Sequence, residues 1–178
     1  MARHVALLRG INVGGNNKVS MAELREAFED AGHTNVRTYI NSGNVVFDGP
    51  AKVAEDDIET VLEARFEIPL VVVLRSHRQF RAVVEKAPDG FGRKPDLHHS
   101  DVVFLKAPLT SRQAMKVVEL REGVDEAWPG TGVVYFQRVS SQRTKSKMSK
   151  VIGTPEYQLM TIRSWSTTTK LMDLLDAD

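Results

Sequence analysis

The apolar positions change period several times along the chain, and the changes mark out its elements. Val5 to Leu8 is a short continuous apolar run flanked by basic residues. It predicts a buried strand over Arg3–Arg9 that runs into the Gly/Asn-rich segment Gly10–Asn17. Leu24, Ala27, Phe28 and Ala31 then recur at helical intervals behind Ser20-Met21-Ala22-Glu23, whose Ser and Glu have capping-box spacing, and Gly32 stops the helix. Val36–Ile40 and Val45–Phe47 are β-rich runs separated by Asn41-Ser42-Gly43-Asn44, a hairpin signal in which Gly43 supplies a positive φ. A helix carrying Ile58, Val61, Leu62 and Phe66 follows, and then the β-branched run Val71-Val72-Val73. The acidic residues at that helix start, Glu55-Asp56-Asp57, suit the positive end of the helix dipole.

The order β-α-β-β-α-β is that of a ferredoxin-like split β-α-β unit, with antiparallel strands ordered 4-1-3-2 and helices on one face. Ser76 and Gln79 form a second capping box at the start of a helix to Ala87, and the polar, Gly/Pro-bearing stretch to Ser100 follows. The same order then returns in weaker form. A strand is expected at Asp101–Lys106, a helix from about Thr110 to Arg121 ended by Gly123, and a hairpin of Glu126–Trp128 with Val133–Gln137 about a Pro129-Gly130-Thr131-Gly132 turn. A short helix around Lys145–Ile152, a strand at Gln158–Ile162 and a last helix carrying Leu171, Leu174 and Leu175 complete it. The expected architecture is therefore α+β, two tandem ferredoxin-like subdomains at 1–88 and 101–178 joined by a linker at 89–100, the second with an extra terminal helix.

Composition narrows the function classes. In 178 residues, 24 Lys+Arg against 23 Asp+Glu leave a net charge of +1, so a nucleic acid or anionic partner must be met by a local patch. The absence of cysteine excludes disulfides, thiolate catalysis and Cys-based metal sites, and fits a reducing compartment. No apolar stretch approaches the roughly 20 residues of a membrane span, so a cytoplasmic protein with no membrane association is expected. His4, His33 and His77 stand alone, and His98-His99 point to different faces of a strand. No metal site and no cofactor are expected.

Topology brings distant loops together. In the split β-α-β order, strands one and two run in the same direction, so Arg9–Lys18 should face Asn41–Asn44 beside the start of the first helix. Arg9 and Lys18 supply charge, Asn12, Asn41, Ser42 and Asn44 supply neutral hydrogen bonds, and Gly10, Gly14, Gly15 and Gly43 allow close backbone approach. Together they make a candidate site for a phosphate or carboxylate. The segment Gly10-Ile11-Asn12-Val13-Gly14-Gly15 matches neither phosphate-loop nor dinucleotide-binding spacing, and the same residues also serve as a long β-α connection. A second candidate phosphate patch is Arg143, Lys145, Lys147 and Lys150, in a stretch from Gln137 to Ile152 with no acidic residue. That stretch also reads as a solvated basic helix, and it has no aromatic side chain on which a base could stack.

The run Ala6-Leu7-Leu8-Arg9-Gly10-Ile11-Asn12-Val13-Gly14-Gly15, with Met21, Leu24 and Thr38-Tyr39-Ile40-Asn41-Ser42-Gly43-Asn44-Val45-Val46-Phe47, resembles a widespread bacterial family, domain of unknown function sixteen-ninety-seven. Thr161-Ile162-Arg163-Ser164-Trp165-Ser166-Thr167 is similar to that family's Thr-x-Arg-Asn-Trp-x-Thr pattern, with Ser164 in place of Asn. The resemblance implies a two-subdomain ferredoxin-like arrangement and supplies no activity. By motif alone it adds Arg163 and Trp165 to the candidate ligand-binding residues. Three functions follow as expectations: binding of a phosphate-bearing small molecule or a nucleic-acid backbone at the first loop, an enzyme using the same cleft, or a protein-interaction module.

Overall fold

The computed structural model describes all residues, 1–178, as an α+β fold of two four-stranded antiparallel sheets with helices. Two compact units divide it, one of Met1–Arg81 with Leu171–Asp178 and one of Ala82–Lys170.

In the first unit β1 (Ala2–Arg9) lies between β3 (Asn44–Gly49) and β4 (Val71–Ser76), and β2 (Thr34–Tyr39) forms the edge beyond β3. Ala6 and Leu8 of β1, with Val45 and Phe47 of β3 and Val72 of β4, form the sheet side of a core closed by α1 (Met21–Asp30) and α2 (Glu55–Phe66). Strand alternation puts Val5, Leu7 and Arg9 on the opposite face. Ser20 caps α1 by accepting the Glu23 amide at 3.4 Å. The amide of Ser76 donates to Gln79 Oε1 at 2.9 Å while Ser76 Oγ accepts the Gln79 amide at 3.2 Å, so both halves of that capping box form at the start of α3 (His77–Glu85).

In the second unit β5 (His98–Leu105) lies between β7 (Val133–Val139) and β8 (Met160–Ser164), with β6 (Asp125–Gly130) at the edge. Its core joins Val103, Leu105, Val134, Phe136 and Met160 to Ala114 of α4 (Ser111–Val117) and to Met148 and Val151. Helix α5 (Trp165–Asp176) ends the chain.

Several expected boundaries move. Helix α4 stops at Val117 rather than Arg121, because Val118 is already extended at φ −79, ψ 113 and two successive β-branched residues favour that conformation. Pro129 and Gly130 belong to β6 rather than to the turn, leaving Thr131-Gly132 as a two-residue connection with Gly132 at φ 69. An edge strand tolerates Pro129 because no further strand needs its missing N–H. The short helix expected at Lys145–Ile152 is a succession of 3-10 turns, Ser140–Lys145, Met148–Gly153 and Pro155–Leu159.

The division into units also departs from the expected linker at 89–100. Strand β5 begins within it at His98, the second unit begins at Ala82, and the end of α5 belongs to the first unit. The physical reason is polar. Arg3 donates to the carbonyls of Leu175 and Ala177, Arg37 to that of Leu174 at 2.9 Å, and His77 and Arg81 meet the Asp176 carboxylate at 2.7 and 2.8 Å. Three arginines and His77 thus hold the carbonyl end and last carboxylate of α5, where the helix dipole favours positive charge.

A ring cluster closes one side of the first core: His33 lies 4.5 Å from Phe47 and 5.8 Å from Phe28, and His4 stacks on Phe47 at 5.4 Å. Burial, and then the neighbouring His4, lowers the His33 pKa below its usual 6.5. The folded state therefore prefers neutral His33, so its contribution to stability is complete above pH 6.5 and is lost as pH falls from there through the lowered value. We expect the melting temperature to fall between pH 7 and pH 5, and to fall less in His33→Phe, which keeps the ring packing without the titration; equal slopes for the two proteins would refute the assignment.

Candidate functional site

The eleven residues between β1 and α1 form a miniature hairpin. The Asn12 amide donates to the Asn17 carbonyl at 3.1 Å, the Asn16 amide to that of Val13 at 3.0 Å, and Gly14 and Gly15 turn the tip at φ 58 and 78. Positive φ at both central residues is what a two-residue hairpin turn demands, which accounts for the Gly-Gly pair. Two apolar anchors fix its base: Ile11 is 1% and Val19 4% exposed.

Asn12 ties this loop to the β2–β3 turn. Its Oδ1 accepts the Val19 amide at 2.8 Å, and its Nδ2 donates to the Val19 carbonyl at 3.0 Å and the Asn41 carbonyl at 2.8 Å. Leu8 donates its amide to the Gly43 carbonyl at 2.8 Å. Gly43, at φ 87, lies so close that a Cβ there would stand 2.7 Å from Ile11 Cδ1 and 2.9 Å from Leu8 Cβ. The first loop and the hairpin thus meet as the strand order requires.

Beside this junction opens a hollow of about 480 Å³, lined by Asn12, Gly15, Lys18, Val19, Ser20, Met21 and Asn41. Lys18 gives it a positive charge, no carboxylate lines it, and the start of α1 borders it. The first intrahelical hydrogen bond of α1 runs from Leu24 to the Ser20 carbonyl, so the amides of Met21 and Ala22 precede the helix ladder. An anion in the hollow would meet Lys18, those amides and the positive end of the dipole.

Of the residues expected at the site, Asn12, Gly15, Lys18 and Asn41 come together here, and the capping Ser20 joins them. Arg9 does not line the hollow, because alternation along β1 sends it to the face opposite Leu8. Gly10 and Gly14 are exposed with open space around them. Asn44 is fully buried and donates to the Tyr39 carbonyl at 2.9 Å and Ser42 Oγ at 3.0 Å, so it holds the turn rather than presenting a group to solvent.

The remaining expected residues belong to the second unit. Arg163 is buried, donates to Thr161 Oγ1 at 2.8 Å and the Ile162 carbonyl at 3.0 Å, and burial lowers its pKa to about 10. Trp165 packs on Gly92, where a Cβ would overlap the indole, and meets Phe91 edge-on at 5.2 Å. Arg143, Lys145 and Lys150 are exposed, and Lys150 pairs with Glu119 at 3.7 Å. Lys147 donates its backbone amide to Asp125 at 2.8 Å. The segment 143–150 spans the end of one 3-10 turn and the start of the next, with Met148 between the lysines buried in the core.

One juxtaposition is missing from the sequence reading. His99 and Asp101 are two residues apart on β5 and so share a face, and His99 Nε2 lies 3.0 Å from Asp101 Oδ1. The i, i+2 spacing was the available signal.

Against known proteins, the profile of the family described as protein of unknown function DUF1697 matches residues 1–135. The chain belongs to this family. In the DUF1697 protein the matched span contains the whole loop, the hairpin and the hollow between them. Among solved structures, the conserved bacterial protein SP0830 from Streptococcus pneumoniae is similar, with 29% sequence identity and a TM-score of 0.79 over 98% of this chain and 99% of that one. No curated protein matches the chain.

The geometry makes Asn12 the strut of the site. Asn12→Ala removes the partners of the Val19 amide, the Val19 carbonyl and the Asn41 carbonyl, and is expected to cost about 1–3 kcal/mol. Chemical denaturation checks this, and a loss below a few tenths of a kcal/mol would contradict it.

Proposed function

We propose that this DUF1697 protein binds a phosphate-bearing ligand, a nucleotide or nucleic-acid backbone, in the hollow between the first β-α loop and the β2–β3 turn, and that its two units are tandem ferredoxin-like subdomains. For the fold, the support is the recurrence of one element order and one strand order, β2-β3-β1-β4 and β6-β7-β5-β8. Only the second helix of the later unit is replaced, by 3-10 turns.

For the ligand, the observation that carries the reading is the meeting of Lys18 with the amide end of α1 in a hollow that no carboxylate lines. The frame around it is set before any ligand arrives. Asn12 is bonded on both sides of its amide, Ile11 and Val19 are buried, and Gly43 is packed against Ile11. A ligand then meets a preformed surface and spends little of its binding energy on ordering a loop. Asn41, exposed at the rim, provides neutral hydrogen bonding beyond the phosphate. The hollow is open, which suits a phosphate group at the end of a larger molecule rather than an enclosed inorganic ion.

Thermal-shift measurements against inorganic phosphate, nucleotides, phosphosugars and short RNA and DNA test this. A ligand at about 100 times its Kd stabilises by about 2.7 kcal/mol, or roughly 5–10 °C for a chain of this size. The expected result is a shift for a phosphorylated compound that Lys18→Glu abolishes and Arg9→Ala leaves in place. A shift that survives Lys18→Glu would place binding elsewhere, and no shift from any compound would refute the reading.

A further inference from the structure

The outer edge of β4 in the first unit is closed by side chains rather than by a strand. β1 pairs with one side of β4, from Arg9 opposite Val71 to His4 opposite Ser76, and no strand of the sheet lies beyond the other side. Alternate amides of an antiparallel strand point away from its neighbour. Those of Leu70, Val72 and Leu74 each donate to a glutamate of α2: to Glu63 Oε1 at 3.0 Å, Glu59 Oε1 at 2.8 Å and Glu55 Oε1 at 2.8 Å. Two periods make this ladder possible. Residues four apart on a helix are separated by about 6 Å along its axis, and every second amide of a strand by about 7 Å. The helix dipole accounts for Glu55 at the start of α2, whereas Glu63 in the last turn stands against it. The ladder accounts for all three glutamates.

The other three sheet edges carry obstacles to pairing within their own strands. β2 breaks register between Thr34 and Arg37, with Asn35 at φ 49. β6 contains Pro129, and β8 has only five residues, one of them Arg163. Bulges, proline, short length and charge all blunt an edge against a further strand. β4 and the residue before it have none of these over Leu70-Val71-Val72-Val73-Leu74, five consecutive aliphatic residues of high β propensity. Such a run is suited to pair with a copy of itself. Two identical edges set antiparallel about a twofold axis each supply the amides and carbonyls that the other needs. The matching edge strand of the second unit makes the contrast: there 3-10 turns replace the helix, and β8 carries the charge itself.

We propose that Glu55, Glu59 and Glu63 are a guard that keeps the β4 edge from pairing with β4 of a second copy of this chain. A carboxylate oxygen is a strong, charge-assisted acceptor for a backbone N–H. An incoming strand must therefore displace three such bonds and replace them with neutral ones. Two copies set edge to edge would also bring two rows of carboxylates together, and these repel. Without the glutamates, the amides of Leu70, Val72 and Leu74 need a new acceptor, and the carbonyls of another β4 edge have the matching spacing.

Light scattering on the full chain over a range of concentrations tests this, with all three glutamates changed together, Glu→Ala in one variant and Glu→Gln in another. The wild type should keep one mass throughout, and the alanine variant should reach at least twice that mass as concentration rises. The glutamine variant should behave as the wild type, because its side-chain Oε1 still accepts the amide. Amide hydrogen exchange locates the contact. In the dilute alanine variant the amides of Leu70, Val72 and Leu74 should exchange about 10-fold faster or more, and should regain protection as the variant associates. If circular dichroism shows that the triple alanine variant does not fold, Glu59→Ala, which opens only the Val72 amide, is read in its place and should show the same rise in mass. A wild-type mass that rises with concentration would overturn the proposal. So would a folded alanine variant that keeps the wild-type mass, equal association of the glutamine variant, or association that leaves the three amides unprotected.

Discussion

The close packing of Gly43 on Ile11 and Leu8 is the constraint on which the first unit's candidate site depends. A glycine at φ 87 lets the β2–β3 turn approach β1 closely enough for the Leu8 amide to reach the Gly43 carbonyl at 2.8 Å. That approach buries Ile11, the second residue of the loop, and the buried Ile11 fixes where Asn12 begins. Asn12 can then bond Val19 and Asn41 together, and the start of α1 is held against the turn. Remove the glycine and each later contact loses its geometry. The sequence Asn41-Ser42-Gly43-Asn44 is thus read twice by the fold, once as a hairpin turn and once as the wall against which the first loop is built.

Two helix starts use one local device. At each, a strand or loop runs into a helix through a serine whose Oγ accepts an early amide of that helix: Ser20 for α1 and Ser164 for α5. The cap satisfies one amide and leaves others at the rim of a hollow. What differs is the company. Lys18 stands beside the first, whereas the His99–Asp101 pair lies on the strand next to the second.

Elements with strong local codes were legible in the sequence. The Ser76/Gln79 capping box, the Gly43 turn and the apolar runs of β1 and β4 all lie where the pattern puts them, and the meeting of the first loop with the hairpin follows from strand order alone. The errors occur where a nonlocal contact outweighs the local signal. The leucine-bearing terminal helix reads as part of the second half, but Arg3, Arg37, His77 and Arg81 draw its last turn to the first unit. Pro129 reads as a turn residue, yet an edge strand accepts it. Within the site, residue type suggested groups offered to a ligand, whereas Asn12 and Asn44 spend their amides on the protein's own backbone. Arg9 illustrates a different error, since alternation already set it opposite Leu8 and the loop reading overlooked that period.

The central claim is that the first loop is a preformed frame held by Asn12, and amide hydrogen exchange in the ligand-free protein tests it most directly. The account predicts that the Val19 amide, bonded to Asn12 Oδ1 at 2.8 Å, is protected well beyond the tip amides of Gly14 and Gly15, and that Asn12→Ala removes this protection while the Leu8 amide keeps its own. A Val19 amide that exchanges as fast as the loop tip in the wild-type protein would contradict it.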